Sequence, residues 1–427
     1  MGWTAYQIFM ALGLVMAAPF LLLLRGRHYL PTLAGRLGRH RGPRPEGALW
    51  IHAVSVGEVG VAATLARALP ESLPLLITTI TPTGQRRARE AFAQRRAVVT
   101  YFPFDLGFAV RRFLARYRPA ALVLVEGDYW PLVLRFAARR EIPVAVVNGR
   151  LSRHSFRRLQ RVRRWTRPLF FAGVDRFGMQ TEKDRQRLID LGVGAERIRT
   201  TGNLKYDSPE PPELPELAAA IRRLAAERPI LIAGSTMRGE DELVLDAFHE
   251  LGAGKRALLV LVPRHPERWD QVERLVRERG LGCVRRSALS EADTADDVLL
   301  LDSLGELAAL YRIGAIAFIG GTLVPTGGHN PLEPARFAVP IVVGRSMDNF
   351  AEMAEQFAAA DAWRMVDDNR GLARVWEEWL ERAEVAREVG RRGAELLAAN
   401  RGALERTVTM LEPLLQAVQR RKEDRSP

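Results

Sequence analysis

Two doubly wound α/β domains behind an apolar N-terminal segment are what this sequence predicts. Three observations predict them. Short apolar runs of strand length recur along the chain, each followed by a stretch with helical spacing, the pattern of parallel sheets covered by helices. The proline-rich run Ser208–Pro215 separates two sets of these repeats. The length, 427 residues, suits two domains of about 100–200 residues each. The expected organisation is an anchor at 1–27, a first domain at 28–208, a linker at 209–216 and a second domain at 217–420.

Composition narrows the class. Hydrophobic residues make up 47% of the chain, enough for a large core. The single cysteine, Cys283, excludes a disulfide framework within the chain and a cysteine-based metal cluster. No metal site and no cofactor are expected. The net charge of +13 suggests acidic partners: nucleic acid, anionic lipid or a phosphorylated substrate. Scattered arginine from a GC-rich coding background is the plainer account of part of it.

Gly2–Leu24 carries no charge, and Ile8–Leu24 is almost wholly apolar. A spanning helix needs about 20 such residues. Arg25, Arg27 and His28 follow, then Arg36, Arg39, Arg41 and Arg44, so the basic side is expected to stay cytoplasmic. The expectation is an uncleaved membrane helix with the globular part in the cytoplasm. Shallow insertion without full crossing is the other reading.

In the first domain, Ala48–Val54 reads as a strand leading into Ser55-Val56-Gly57-Glu58 and a helix. Glu58 thus lies near a helix N-terminus, where the dipole favours an ionised carboxylate, the form a general base needs. A first-turn glutamate that only caps its helix fits that position as well. Leu75–Thr79, Val98–Tyr101, Ala121–Val125 and Val144–Val147 read as further strands. Ala121–Val125 delivers Glu126 at its carboxyl end. Ligands of open α/β sheets bind outside those ends, so Glu58 and Glu126 are candidates for one site. Arg150–Arg167 interleaves eight arginines with Phe156, Leu159, Val162 and Trp165 as a basic amphipathic helix. Beside an apolar N-terminus this favours an anionic membrane surface or lipid phosphate over nucleic acid, which is not expected as a partner. Lys205, after a strand end near the linker, suits neutralising a phosphate or carboxylate; an ordinary surface lysine suits that position equally.

The second domain repeats the grammar. Pro229–Ala233 reads as a strand ending in Gly234-Ser235-Thr236, a turn able to cradle phosphate through N–H and hydroxyl groups, although the GK[ST] of a P-loop is missing. Leu258–Val262 delivers Arg264, a donor fork for phosphate or base, and His265. Val298–Leu301 leads to Ser303-Leu304-Gly305-Glu306-Leu307. Ala315–Ile319 ends in Gly320-Gly321, and Gly327-Gly328 precedes His329, Asn330, Pro331, Leu332 and Glu333. Free N–H groups of this glycine-rich loop, and a helix begun at Pro331 and capped by Asn330, are expected to face an anion or nucleotide. Glu333 suits a sugar hydroxyl. Val339–Val343 reads as another strand, and Gly371–Gln419 as largely helical.

The motifs WIHAVSVGE (50–58), TTITPTG (78–84), YFPFDL (101–106), NGRLS (148–152), TGNLKYD (201–207), PRHPER (263–268), SLGEL (303–307) and GGTLVPTGGHNPLEPA (320–335) span nearly the whole globular chain. With them the sequence resembles the 3-deoxy-D-manno-octulosonic acid (Kdo) transferases of lipopolysaccharide core synthesis. The resemblance implies a GT-B glycosyltransferase, with two Rossmann-like domains facing across a cleft. It implies CMP-Kdo as donor, a lipid A precursor as acceptor, and inversion at the anomeric carbon with Glu58 as base. It further implies that Glu126 and Lys205 stabilise the transition state. Arg264 with His265, Gly305–Leu307 and Asn330–Glu333 match the family's CMP-binding segments. The family pattern after the strand matching Ala121–Val125 is usually E-T-E-L-W-P-N. Here it is Glu126-Gly127-Asp128-Tyr129-Trp130-Pro131-Leu132, a departure in the region of the sugar and acceptor. A UDP-sugar enzyme of the same fold and an inactive membrane-associated binding protein are the competing readings.

Overall fold

In a computed structural model the described residues are 3, 6–8, 10–16, 19, 26, 30–40, 42–289 and 297–423. The chain divides into two compact units: Met1–Pro209 with Asn400–Pro427, and Glu210–Ala399.

The first unit holds a seven-stranded sheet of β1 (Leu49–His52), β2 (Leu75–Thr79), β3 (Ala97–Tyr101), β4 (Ala121–Val125), β5 (Val144–Gly149), β6 (Arg176–Met179) and β7 (Ile198–Thr200). Their order is 3-2-1-4-5-6-7, and every pairing is parallel. Successive side chains of a strand point to opposite faces. Leu49 and Ile51 therefore enter one core layer and Trp50 the other. Both faces are covered, which is why these strands read as unbroken apolar runs. The order reverses direction between β1 and β4, the point where doubly wound sheets bind ligands.

The second unit holds β8 (Ile230–Thr236), β9 (Leu258–Pro263), β10 (Cys283–Arg285), β11 (Val298–Leu300), β12 (Ile316–Ile319), β13 (Ile341–Val343) and β14 (Arg364–Met365), again all parallel. The order is 10-11-9-8-12-13-14, so the glycine-rich segments that follow β8 and β12 flank a second such crevice. Four strands escaped the sequence reading: β6, β7, β10 and β14. Each is two to four residues long and all lie towards sheet edges. They carry charged or polar positions and give no run to detect.

The domain boundary at 420 is corrected. The helix Ala403–Glu423 belongs to the first unit, where Ala403, Met410, Leu411, Leu414 and Val418 join the layer of Leu49 and Ile51. Asp207 fixes its start by accepting from Gly402 N (2.9 Å) and Leu404 N (2.7 Å). The last residue of the TGNLKYD motif is thus the cap of a helix almost 200 positions away. No helix among the described residues is long and apolar enough to cross a membrane. Residues 20–25 of the expected anchor lie outside the described residues.

Leu411→Ala should destabilise the first unit by about 2–5 kcal/mol, because Leu411 is fully buried in that layer. A two-step urea titration should show the loss in the transition that reports the first unit and leave the other unmoved.

Candidate functional site

In the first unit, Glu58 sits in the opening turn of the helix Val56–Arg67, directly after β1, with 8% exposure. Its carboxylate is fixed by two donors: Val54 N to Oε2 at 2.8 Å and Ser55 Oγ to Oε1 at 2.9 Å. Glu58 N donates back to Ser55 Oγ at 3.3 Å, so the residue does close a capping box. The expected dipole-stabilised charge is not what dominates. Burial pushes the carboxyl up to about 7 against the Val54 and Ser55 hydrogen bonds, and the nearby Asp128 and Glu126 carboxylates add to the rise. A group near neutrality is matched to accepting a proton at physiological pH.

Glu126 leaves β4 with a positive φ of 61°, followed by Gly127 at 99°. That turn swings its carboxylate to Lys205 Nζ (3.1 Å from Oε1) and Arg150 Nε (3.3 Å from Oε2). Asn148 Nδ2 donates to the same Oε1 at 3.3 Å, while Asn148 Oδ1 accepts from Leu204 N at 2.8 Å. Asn148 is fully buried and also has a positive φ, 54°. It ties the Glu126 turn to the Lys205 turn, a role that its place in NGRLS did not disclose. Glu58, Glu126, Asp128, Arg150 and Lys205 thus form one cluster at the β1/β4 reversal. The basic stretch is broken rather than continuous: Arg153–Arg161, then Arg163–Thr166, with Val162 at φ −115° between them. Phe156 and Leu159 pack inward, whereas Val162 and Trp165 are about half exposed beside the arginines.

In the second unit, the phosphate reading of the loop amides is corrected. Glu240 is fully buried, and it takes the N–H groups expected to be free. Gly321 N (2.6 Å) and Met237 N (3.1 Å) donate to Oε2, and Thr322 N (3.0 Å) and Leu323 N (2.9 Å) donate to Oε1. Burial raises its carboxyl, and these four donors oppose the rise. Thr236 is committed as well, its hydroxyl donating to Asp241 Oδ1 at 2.6 Å. Arg268 pairs with Asp241 and donates to Thr236 O, where Arg264 N also donates at 3.0 Å. The helix after Pro331 has only four residues, Leu332–Ala335, too short for a useful dipole. Asn330 Oδ1 accepts from Leu332 N (3.2 Å) and Asn330 Nδ2 donates to Glu333 Oε1 (3.3 Å).

The predicted binding residues nevertheless converge at the β8/β12 reversal. A Cβ at Gly320 would lie 2.3 Å from Ser235 O, so only glycine lets these two loops touch. A Cβ at Gly234 would strike the Tyr311 hydroxyl and approach Leu307. Gly305 has a φ of 90° and is exposed, and Glu306 is held by Ser303 and by Arg286 at 3.2 Å. Arg264 and His265 are exposed, and both help burial press His329 down to about 4. His329 is therefore a neutral imidazole. Arg264 also bears on the half-buried Glu333, and Glu333 on Tyr311. Tyr311 was missed because it reads as a core aromatic. Among the described residues no group of three or more metal-ligating side chains comes together.

The family described as 3-deoxy-D-manno-octulosonic-acid transferase (kdotransferase) matches residues 32–208. The 3-deoxy-D-manno-octulosonic acid transferase of Haemophilus influenzae is 36% identical over 405 residues, covering 93% of this chain and 94% of that one. This chain belongs to the Kdo transferase family. The enzyme of that name from Bordetella pertussis is 35% identical over 402 residues, 91% of this chain and 92% of its own. Among solved structures, UDP-GlcNAc 2-epimerase from Neisseria meningitidis shares the fold, with a TM-score of 0.57 at 12% identity over 85% of this chain and 99% of its own. As a Kdo transferase family member this chain is a glycosyltransferase.

Glu240→Gln replaces one accepting oxygen with a donor that faces two backbone N–H groups. It should cost about 3 kcal/mol of stability. The shift should appear in the urea transition of the second unit.

Proposed function

We propose that this chain transfers Kdo from CMP-Kdo to a hydroxyl of a lipid A precursor, with Glu58 as general base. The observation that carries the reading is the Glu58 carboxylate: oriented by Val54 and Ser55, at the carboxyl end of β1, and with a proton affinity near neutrality. Glu58 takes the acceptor hydroxyl proton as that oxygen bonds to the anomeric carbon. The bond from that carbon to the CMP phosphate oxygen breaks on the opposite face, and the configuration inverts. No covalent intermediate forms on the chain.

The Glu126–Lys205–Arg150 network sets a cationic group beside the base without leaving it unpaired. In this reading Lys205 and Arg150 face the Kdo carboxylate and the charge that develops around it. The donor lies on the second unit. Arg264 and His265 meet the phosphate, Ser235 and Gly305–Leu307 meet the nucleoside, and Asn330 with Glu333 meets its hydroxyls. Neutral His329 adds no charge there. The GT-B arrangement, with acceptor and donor on separate units, completes the reading. The arginines from Arg153 to Arg167 and the half-exposed Trp165 suit the anionic cytoplasmic face of the inner membrane, where a lipid acceptor resides.

Incubation with CMP-Kdo and a lipid A precursor should add the mass of Kdo to the lipid. Thermal stabilisation by UDP but not CMP, with no such product, overturns the reading. Glu58→Gln should lower kcat by about 10²–10⁴-fold while CMP binding by calorimetry is kept, since the base acts only on the acceptor. A base works ionised, so kcat should fall as pH drops below about 7 and level off above it. Ser55→Ala removes a hydrogen bond that favours the ionised form, so it should move that limb to higher pH. A limb that stays in place in Ser55→Ala removes Glu58 as the titrating group.

A further inference from the structure

The N-terminal segment begins and ends on one patch of the first unit. Tyr6 Oη donates to Asp105 Oδ2 at 2.7 Å. Trp3 stacks on the Arg135 guanidinium at 4.5 Å, and both aromatic rings pack against the cluster of Phe102, Phe113 and Leu132. At the far end Arg36 is buried, with its guanidinium over Tyr101 at 4.8 Å and Phe104 at 5.8 Å. Its carbonyl accepts from Phe104 N at 2.8 Å. Phe104 and Asp105 are neighbours in sequence. Residues 6 and 36 are therefore held side by side.

A single crossing forbids this. The hydrocarbon core is about 30 Å thick, so one helix of about 20 residues leaves its two ends about 30 Å apart. Returning through the core doubles the requirement to about 40 apolar residues, more than lie between Tyr6 and Arg36. On the same segment Ile8, Leu12, Val15 and Met16 are 55%, 58%, 69% and 79% exposed. Their spacing of four, three and one places them on one helical stripe, away from the side that docks through Trp3 and Tyr6. Guanidinium groups surround the docking site: Arg135 under Trp3, Arg111 and Arg139 over Phe136, and Arg112 over the exposed Phe108. An apolar stripe among cations is complementary to the headgroup boundary of an anionic leaflet.

We propose that the N-terminal segment is an in-plane membrane element, docked at both ends on the first unit, whose stripe Ile8–Met16 enters one leaflet without crossing the bilayer. It rests on the membrane association proposed above and replaces the spanning helix that hydropathy suggests. Tyr6 and Asp105 then fix the depth and angle at which the first unit meets the surface.

The test places one thiol at the start of the full chain, as Gly2→Cys in a Cys283→Ala background. Intact spheroplasts are treated with a membrane-impermeant maleimide and washed. They are then dissolved in detergent and treated with a mass-tagged maleimide. Full mass-tagging is expected, because the thiol stays on the cytoplasmic side; loss of the tag shows a thiol blocked from outside and overturns the proposal. In parallel the full chain is floated with phosphatidylglycerol-containing vesicles. Leu12→Glu with Val15→Glu should lose most of the flotation, and undiminished flotation overturns the role of the stripe. Failure of the unaltered chain to float sinks membrane association itself, whatever the tagging shows.

Discussion

The carboxylate of Glu240, closed inside four backbone N–H groups, is the contact on which the second unit's glycine-rich crevice depends. A buried ion costs several kcal/mol unless its lone pairs are met. Here four donors from two loops meet them, and in the same act the buried amides of Gly321 and Thr322 avoid being left without partners. Other hydrogen bonds brace each loop separately, such as Thr236 Oγ1 to Asp241 and Gly328 N to Gly321 O, and Glu240 joins the two. Gly320, Gly321, Gly327 and Gly328 lower the barrier to any conformation, and the adjoining helix has four residues. The cradle thus converts a floppy glycine-rich segment into a fixed wall against Ser235. It also decides the chemistry of that wall. With its amides turned inward, the loop has none of these N–H groups for phosphate, and attraction for an anion falls to side chains, Arg264 first. The Arg268–Asp241–Thr236 knot holds the PRHPER segment to the same β8 turn, so the arginine is presented from a rigid base.

In the first unit the organising tension is between three carboxylates and two cations. Glu126 takes both Lys205 and Arg150, and Asn148 locks the arrangement. Glu58 has no cationic partner of its own within salt-bridge distance among the described residues. Desolvation and its acidic neighbours therefore win over two hydrogen bonds and the helix dipole, and its proton affinity rises. The capping box and the base role are compatible. An ionised carboxylate has about four lone-pair sites. Val54 and Ser55 occupy two, which leaves room for an acceptor hydroxyl on a group whose rotamer is already set.

Most of the architecture was legible because a strand covered on both faces is mostly apolar, and all the strands but β6, β7, β10 and β14 announce themselves that way. What stayed hidden depends on partners far away in sequence. Ala403–Glu423 shows an apolar stripe, but a stripe does not say which sheet it covers, and the nearer domain was the wrong choice. Glu240 reads as one more acid opening a helix; its meaning lies eighty residues on, at Gly321–Leu323. Asp207 reads as part of a motif around Lys205, although its carboxylate serves the C-terminal helix. Tyr311 and Asn148 are ordinary by composition and become informative only through what they touch. The clustering of Glu58, Glu126 and Lys205 was legible because each follows a strand end, and strand ends are where this fold gathers its ligand-facing groups.

The departure at Glu126–Leu132 can be weighed by what holds its two ends. At one end Glu126 is fixed by β4, by Val147 O accepting from its N–H at 2.9 Å, and by its ion pairs. At the other, Leu132 N and Val133 N donate to Asp105 at 3.0 Å each, so a carboxylate from the YFPFDL motif caps the next helix. Tyr129 is turned inward against Phe171, and Trp130 packs on Phe102. The substitutions are therefore confined between two pinned ends. They change the side chains that this turn presents, chiefly by placing a shorter carboxylate at the exposed Asp128, and they leave Glu126 on Lys205 and Arg150. In the proposed reading, a change of this kind adjusts which acceptor fits while the chemistry at the anomeric carbon is kept. The same Asp105 also receives Tyr6, so this turn and the N-terminal segment proposed to meet the membrane are braced by one buried carboxylate.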